Sequence, residues 1–264
     1  LIFSFEINGK KITIDCAFIV IHGTPGEDGK LQAYFDMLDI PYTTCSQLGA
    51  ALTFNKFACN RFLESFDIPV AKAVLIRKNE AINSSEIIEK VGLPCFVKPA
   101  DGGSSYGVTK VENESELENA ITLASKHGTQ ALIESFLIGR EVTNGIYKSL
   151  RGIHVLPITE IVTENDFFDF DAKYKGESSE ITPAELEEEM TAKIKKLTLK
   201  VYEILDFSGI ARADYIIHNG EPHLIEINAI PGQSAESIIP KMAAQEGISL
   251  KKLFEDVIEV ALKS

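Results

Sequence analysis

The chain has 264 residues, of which 45% are hydrophobic and 25% charged, so it can bury the core of one large domain or of two to three small ones. Its formal net charge of −13 argues against nucleic acid or an anionic membrane as partner, and no apolar run is long enough to span a bilayer. Its cysteines form no CxxC pair, which disfavours a zinc site and favours a reduced, cytoplasmic protein; they are Cys16, Cys45, Cys59 and Cys95.

The first segment, residues 1–52, has the pattern of part of an α/β domain. The apolar run Ala17–Ile21 predicts a strand buried on both faces, and a helix is predicted at Lys30–Leu38. Between them lies the loop His22-Gly-Thr-Pro-Gly-Glu-Asp-Gly29. Because ligands bind at the carboxyl ends of strands in open α/β sheets, this loop is a candidate site.

The second segment, residues 53–138, mixes hairpin-like strands with helices, as α+β domains do. Thr53 is a plausible N-cap for a helix that runs to about Phe66. The pattern predicts strands at Ala73–Ile76, Cys95–Pro99, Val108–Val111 and Ala131–Glu134, and helices at Ser84–Val91 and Ser115–Lys126.

The third segment, residues 139–264, contains two further hairpins and three helices. A long helix is predicted at Pro183–Leu205, with the proline in its first turn and acidic residues near its positive end. The remaining elements are strands at Glu141–Lys148, Ile153–Ile161, Ile210–Ile217 and Leu224–Ile227, and helices at Ser237–Glu246 and Ser249–Lys263.

The stretch KPADGGSSYG begins with Lys98 at the end of a predicted strand and continues into small, hydroxyl-bearing residues. Successive backbone N–H groups in such a stretch can form an anion-binding nest, and a lysine held by a strand can neutralise phosphate. The order is not that of a P-loop, in which glycines precede the lysine. Taken alone, the stretch is either a phosphate site or a glycine-rich turn.

Four polar residues interrupt the last predicted hairpin, which is otherwise apolar: Arg212, Asp214, Glu226 and Asn228. Carboxylate and amide oxygens are the ligands that Mg²⁺ prefers, and water and phosphate can fill its other positions. The alternative is an ion-pair network on a solvated face of the sheet. These residues alone leave both possibilities open.

Alternation along the strands gives a test of the metal hypothesis. A two-residue Asn219-Gly220 turn in a regular hairpin pairs positions whose numbers sum to 439, which puts Asp214 and Glu226 on opposite faces. A loop with an odd number of residues gives an even sum and a shared face. The metal hypothesis therefore predicts an odd loop.

The order Lys…Lys-Pro-x-x-Gly-Gly-Ser-Ser…Glu…Glu…Arg-x-Asp…Glu-x-Asn resembles the ATP-grasp superfamily. Adding HGTPGEDGKLQAYFDMLDIPYT, DAKY and EINAIPGQSAES narrows the resemblance to the D-alanine–D-alanine ligases, over essentially the whole chain. The resemblance implies three subdomains with ATP held between the central and C-terminal sheets. These are the remainder of an N-terminal domain at 1–52, a central subdomain at 53–138, and a C-terminal subdomain at 139–264.

The resemblance also implies roles at the ATP site. Lys56 and Lys98 would contact the phosphates, and Glu134 the adenine amino group. The remaining positions are the backbone near Phe136 and Leu137 at the ring edge, Glu141 at the ribose, Ser105 on a flap with Gly103 and Ser104, and Lys173 at the transferred phosphate. Asp214, Glu226 and Asn228 would hold two Mg²⁺ ions, with Mn²⁺ able to substitute, and Arg212 would stabilise the acyl phosphate and the tetrahedral intermediate.

Substrate residues follow from the same resemblance. His22 and Glu27 would approach the first D-alanine, and Ser104 and Tyr174 would belong to a hydrogen-bonded trio that positions it. The implied pocket for the second D-alanine consists of Gly232, Ser237 and Ile238. Relatives that make D-alanyl-D-lactate generally depart from Lys-Tyr in the lid, so Tyr174 favours the dipeptide.

The implied reaction is ATP-dependent formation of D-alanyl-D-alanine through a D-alanyl phosphate, for peptidoglycan synthesis, by a homodimer. Two departures stand against it. The family's opening strand and glycine-rich turn, with the glutamate that completes the trio, are absent from the printed chain, and Ala229 and Gln233 replace more usual residues. The alternatives are a D-alanine–D-lactate or other ATP-grasp carboxylate–amine ligase, or a catalytically incomplete nucleotide-binding fragment.

Overall fold

The computed structural model describes residues 4–101, 107–163 and 178–263, apart from the side chains of Phe5, Thr163 and Ser178. Within these ranges the strands form three antiparallel sheets. The smallest is the hairpin of β1 (Ser4–Ile7) and β2 (Lys10–Thr13). No helix in the described ranges is both long and apolar enough to cross a membrane.

The four-stranded sheet belongs to the central part of the chain and has the order β3-β6-β4-β5. Its strands are β3 (Ala73–Arg77), β4 (Cys95–Pro99), β5 (Thr109–Val111) and β6 (Gln130–Ser135). Helices α4 (Ser84–Val91) and α5 (Leu117–His127) bury their apolar residues against this sheet in one core. The predicted strands and helices of this region are confirmed, with ends that differ by one or two residues.

The five-stranded sheet has the order β11-β10-β7-β8-β9. Its strands are β7 (Arg140–Ser149), β8 (Gly152–Thr163), β9 (Ser178–Ile181), β10 (Ile210–His218) and β11 (Glu221–Asn228). One face packs in a single core with α2 (Gln47–Phe54), α3 (Lys56–Glu64) and α6 (Glu188–Ile204). The other face packs at one end against α7 (Ile238–Gln245) and α8 (Leu250–Ala261), which leaves its remainder for polar side chains.

The prediction of a doubly buried strand at Ala17–Ile21 is wrong. Ala17 makes an isolated parallel bridge with Tyr42, and Ile19 is buried, whereas Phe18, Val20 and Ile21 are exposed. Within the described residues, the segment around Tyr42 is the partner of this run, through Ala17 N–H to Pro41 O at 2.8 Å and Thr43 N–H to Ala17 O at 3.1 Å. The helix that follows is confirmed as α1 (Lys30–Met37).

Two predicted helix starts are also wrong. Thr53 lies inside α2, where its hydroxyl donates to Gly49 O at 2.8 Å; the cap of α3 is Asn55, whose side chain accepts from Ala58 N–H at 2.9 Å. Helix α6 begins at Glu188 and not at Pro183. The intervening segment pairs with β8 instead, since Ala184 N–H donates to Ile158 O at 2.8 Å.

The predicted odd loop between β10 and β11 is wrong, but Asp214 and Glu226 still lie on one face, as that loop was expected to ensure. His218 pairs with Glu221 across a two-residue Asn219-Gly220 turn in which both residues have positive φ. Tyr215 pairs with Leu224, but Asp214 pairs with Glu226, so Ile225 is an extra residue in β11. This β-bulge shifts the register by one and places Asp214 and Glu226 directly opposite each other.

The pattern of burial agrees with the bulge. Leu224 and Ile227 are both buried in the core, although three positions separate them, and Ala213 and Tyr215 of β10 lie in the same core. A regular strand that buried Leu224 would have directed Glu226 into that core. The prediction that the two carboxylates share a face is therefore confirmed. The extra residue lies in strand β11 rather than in the turn.

Candidate functional site

Three cation–carboxylate pairs lie at the predicted ATP and metal residues. Lys98 Nζ is 2.5 Å from Glu134 Oε2, and Lys56 Nζ is 3.2 Å from Glu226 Oε2. Arg212 donates to both oxygens of Asp214, at 2.8 Å from Nε and 2.9 Å from the terminal nitrogen. Each of the six side chains is largely shielded from water, with at most a quarter of its surface exposed.

Local structure explains how the two lysines reach the site. Lys98 and Glu134 lie on adjacent antiparallel strands, where Phe96 is opposite Glu134 and Lys98 is opposite Leu132, so both side chains project from one face. Lys56 is the first residue of α3, and its backbone N–H donates to Ala100 O at 2.8 Å. This bond ties the start of the helix to the end of the strand that carries Lys98.

Arg212 and Asp214 lie two residues apart on β10, and so on one face. Thr143 on β7 is directly opposite Asp214, and its hydroxyl donates to Asp214 Oδ1 at 2.5 Å. Thr143 belongs to none of the motifs in the sequence and was not predicted. Its position two residues after Glu141, which puts both on one face of a strand, is the signal that could have found it.

Carboxylates from both sheets affect the pKa values of the cations at the site. Burial by itself lowers the pKa of the Lys98 ammonium, but Glu134, and then Glu226 and Glu141, raise it, and the net shift is upward. The pKa of the Arg212 guanidinium is also raised, because Asp214, Glu226 and Glu141 outweigh the opposing effect of burial. Both cations therefore stay charged, and Glu141 contributes to the same field as the predicted metal ligands.

The donor set at the hairpin suits a hard divalent cation. Asp214 and Glu226 offer carboxylate oxygens on one face, and Asn228, directly opposite Arg212, offers an amide oxygen that accepts from Ile230 N–H at 3.1 Å. In the described part of the chain, no three histidine, cysteine, aspartate or glutamate side chains form a metal-binding group. The candidate set is thus two carboxylates and one amide, which leaves coordination positions for water and phosphate.

The adenine end of the predicted site is partly occupied by internal contacts. Phe136 N–H donates to Pro94 O at 3.3 Å, and the Phe136 ring packs edge-on against Phe96 with centroids 5.3 Å apart. Lys110 lies 5.1 Å from the centre of the Phe136 ring. The side chain of Phe136 therefore stabilises the segment that holds the backbone of Leu137 beside Glu134.

The loop of the first segment brings His22 and Glu27 together. Glu27 Oε2 accepts from Gly23 N–H at 2.5 Å, and His22 Nδ1 lies 3.8 Å from Glu27 Oε1. Glu27 is 15% exposed and His22 is 60% exposed, so the carboxylate is fixed by the loop while the imidazole reaches solvent.

The predicted pocket for the second substrate lies at the start of α7. Ser237 is the N-cap residue, but its hydroxyl makes no capping bond and instead contacts Ser234 Oγ at 2.8 Å. A Cβ on Gly232 would lie 2.7 Å from Ser237 Oγ, so only glycine fits there without displacement. Ile238 is the first residue of the helix. Gly232, Ser237 and Ile238 thus form a small cluster.

The flap and lid residues lie outside the described ranges. They are Ser104, Ser105, Lys173 and Tyr174.

Comparisons with known proteins agree with the resemblance in the sequence. The family model described as D-ala D-ala ligase C-terminus matches residues 62–259, and that described as D-ala D-ala ligase N-terminus matches residues 2–45. The D-alanine--D-alanine ligases of Bacteroides fragilis and Phocaeicola vulgatus are 47% and 49% identical to the chain over 258 residues. Both alignments cover 97% of this chain and 80% of the relative.

Solved structures give the same result. The VanG D-Ala:D-Ser ligase from Enterococcus faecalis has a TM-score of 0.88 at 32% identity, covering 96% of this chain and 74% of that one. The D-alanine--D-alanine ligase from Bacillus anthracis, solved in complex with ATP, has a TM-score of 0.83 at 30% identity, covering 95% and 80%. These matches confirm the predicted mixed α/β and α+β ATP-grasp fold. The chain belongs to the D-alanine–D-alanine ligase family.

Proposed function

We propose that the protein joins two D-alanine molecules to D-alanyl-D-alanine with ATP as the energy source, releasing ADP and phosphate. The observation that carries this proposal is the register shift at Ile225, which sets Asp214 and Glu226 opposite each other beside three cations that are largely shielded from water. A protein that handles ATP at a net charge of −13 needs such local cations. Family membership gives this arrangement its chemistry.

The mechanism we infer relies on charge neutralisation, since phosphoryl transfer requires no protein nucleophile. Lys56 and Lys98 hold the ATP phosphates while the carboxylate of the first D-alanine attacks the γ-phosphorus, giving D-alanyl phosphate and ADP. The amine of the second D-alanine then attacks the acyl carbon. Arg212, which donates to both oxygens of Asp214, stabilises the oxyanion that forms there. Phosphate leaves as the peptide bond closes.

We infer that Asp214, Glu226 and Asn228 would hold two Mg²⁺ ions, for which Mn²⁺ could substitute, and that the ions would supply positive charge to neutralise the ATP phosphates. Arg212 pairs with Asp214 and Lys56 with Glu226, so the two cations balance the charges of the two carboxylates.

The substrate residues follow the same scheme. Glu27, fixed by Gly23 N–H, and His22 would approach the first D-alanine, and Gly232, Ser237 and Ile238 would line the site of the second. Ser104 and Ser105 on the flap, with Lys173 and Tyr174 on the lid, would close over the γ-phosphate. Phe136, Leu137, Glu134 and Glu141 would hold the nucleoside.

We further propose the subdomains 1–52, 53–138 and 139–264, a homodimer, a cytoplasmic location, and a role in peptidoglycan precursor synthesis. Nucleic acid and membrane are not expected as partners, because the chain is strongly acidic.

A second candidate differs only in the nucleophile of the last step. The neighbour with the TM-score of 0.88 is named a D-Ala:D-Ser ligase, so D-serine joins D-lactate as an alternative second substrate. Retention of Lys173-Tyr174 favours D-alanine over D-lactate.

The test is ADP release by the purified protein with D-alanine, D-serine or D-lactate, alone and in pairs. We expect turnover with D-alanine alone and a loss of at least ~100-fold on Glu226→Ala, because preorganised charge at a transition state is typically worth that much. Glu221→Ala is the matched control, since Glu221 lies on the same strand and pairs with Lys193 at the hairpin end, away from the site. ADP release that does not depend on D-alanine would contradict the proposal.

A further inference from the structure

The bulge in β11 has a dedicated hydrogen-bond donor. The side-chain amide of Asn60, on α3, donates from Nδ2 to the backbone carbonyl of Ile225 at 3.1 Å. Asn60 is 2% exposed, and its Oδ1 is buried without a hydrogen-bond partner in the described part of the chain. An unpartnered buried oxygen costs stability, so an apolar side chain of similar size would suit packing better. We therefore attribute the presence of an amide at position 60 to the hydrogen bond that its Nδ2 donates.

The position of the extra residue in β11 decides which side chains of the strand face the site. With a two-residue turn, the extra residue of β11 could lie at any position between Leu224 and the end of the strand. If it moved beyond Glu226, that side chain would pair with Ala213 and project into the core, opposite in direction to Asp214. With Tyr215 opposite Leu224, a bulge at Ile225 is the arrangement that presents Glu226 and Asn228 to the site.

We propose that Asn60 is a positioning residue that fixes the bulge at Ile225 and thereby keeps Glu226 and Asn228 in register with Asp214. The metal site in this inference rests on the proposed function. The part that concerns the chain alone is that Asn60 fixes the bulge. Lys56 supports it, because Lys56 and Asn60 lie one turn apart on α3 and contact adjacent residues of β11, Glu226 and Ile225. One face of one helix thus holds both the backbone and the carboxylate.

The first experiment measures metal affinity directly. Mn²⁺ is titrated into the protein with a non-hydrolysable ATP analogue, and free Mn²⁺ is read by electron paramagnetic resonance. Asn60→Leu keeps the size of the side chain and removes the donor. We expect Mn²⁺ affinity to fall about 10- to 100-fold, as it does when outer-sphere partners of metal ligands are lost.

Cys59→Ala is the matched control. Cys59 is the preceding residue of α3, is 1% exposed, and packs in the core, so its truncation destabilises the same helix without touching Ile225. Both variants are measured at the same interval below their melting temperatures. We expect Mn²⁺ affinity of the control to stay within about 3-fold of the parent protein, since the donor to Ile225 is retained.

A second experiment needs neither metal nor nucleotide. Hydrogen exchange is followed in peptides covering residues 222–228 and, for reference, residues 210–213. In Asn60→Leu we expect faster exchange in 222–228 alone, because the bulge is no longer fixed there. Deleting Ile225 removes the extra residue and leaves Glu226 opposite Asp214 without a bulge, so adding Asn60→Leu to that deletion should lower Mn²⁺ affinity less than 3-fold.

The proposal is overturned if folded Asn60→Leu binds Mn²⁺ as the parent does, or if its loss equals that of Cys59→Ala. Equal effects of Asn60→Leu with and without Ile225 would overturn it as well. If the parent protein itself fails to bind Mn²⁺ with nucleotide, the proposed metal site is wrong. The exchange of residues 222–228 then decides the role of Asn60 by itself.

Discussion

Lys98→Met is the most informative single change at the proposed nucleotide site. Methionine keeps the length and the apolar stem of lysine but removes the ammonium, which lies 2.5 Å from Glu134 Oε2. Glu134 has 8% of its side chain exposed, so its carboxylate would lose its close cation with little water to replace it. The variant thus tests whether Lys98 is needed for the stability of the chain itself.

The expected loss of unfolding free energy follows from the burial of both side chains of the pair. Breaking a buried ion pair by removing one partner costs about 3–5 kcal/mol of unfolding free energy, because an uncompensated charge remains inside. Replacing both partners by apolar residues is often neutral or stabilising by about 1–4 kcal/mol. Lys98→Met alone should therefore be strongly destabilising, and Lys98→Met with Glu134→Leu should regain most of the loss.

The assay is urea unfolding at pH 7, followed by far-ultraviolet circular dichroism, for the parent, both single variants and the double variant. Lys90→Met is the control, because its pair with Glu86 is more than half exposed on both sides, and we expect an unchanged midpoint. If Lys98→Met is as stable as the parent, or if the double variant is less stable than both single variants, the reasoning from burial is refuted.

Two further outcomes concern the proposed second-substrate pocket and alkaline stability. Gly232→Ala should raise the KM for D-alanine about 10-fold with little change in the KM for ATP, because its Cβ would lie 2.7 Å from Ser237 Oγ; equal changes in both constants would contradict this. Stability should fall above pH 9, by up to about 1.4 kcal/mol per pH unit for each buried thiol, since the unfolded chain releases protons that the folded chain retains. Burial raises the pKa of the thiols to about 12, 12 and 11, respectively, at Cys45, Cys59 and Cys95. Replacing these three cysteines by alanine should flatten the urea-midpoint profile between pH 9 and 11, and an unchanged profile would disprove the assignment.

The hairpin shows what alternation along a strand can and cannot predict. If Asp214 and Glu226 share a face, alternation requires one residue more than a regular hairpin with a two-residue turn. The structure contains this extra residue at Ile225. Alternation does not say whether the residue lies in the turn or in a strand, since both satisfy the same count. The Asn219-Gly220 pair favours a two-residue turn on local grounds, and the contact of Asn60 with Ile225 is made 165 positions along the chain.

Other differences between sequence and structure also arise from contacts distant in sequence. The run Ala17–Ile21 is apolar enough for a buried strand, but it is buried where a neighbouring segment covers it, as at Ile19. Thr53 and Asn55 are both competent caps, and the helices on either side decide between them. Motif order predicted residues that the structure brings together, such as Lys98 with Glu134 and Arg212 with Asp214, whereas Thr143 and Asn60 contact neighbours that only the fold brings close.

The bulge at Ile225 divides the last hairpin into two parts with independent pairing. Between the bulge and the turn, residues pair with an odd sum, and beyond the bulge they pair with an even one. An insertion or deletion at the exposed tip therefore alters the outer pairs, whereas a residue inserted directly after Ile225 would displace the carboxylate and the amide together. We therefore expect the hairpin tip to tolerate changes in length while the inner half keeps a constant spacing.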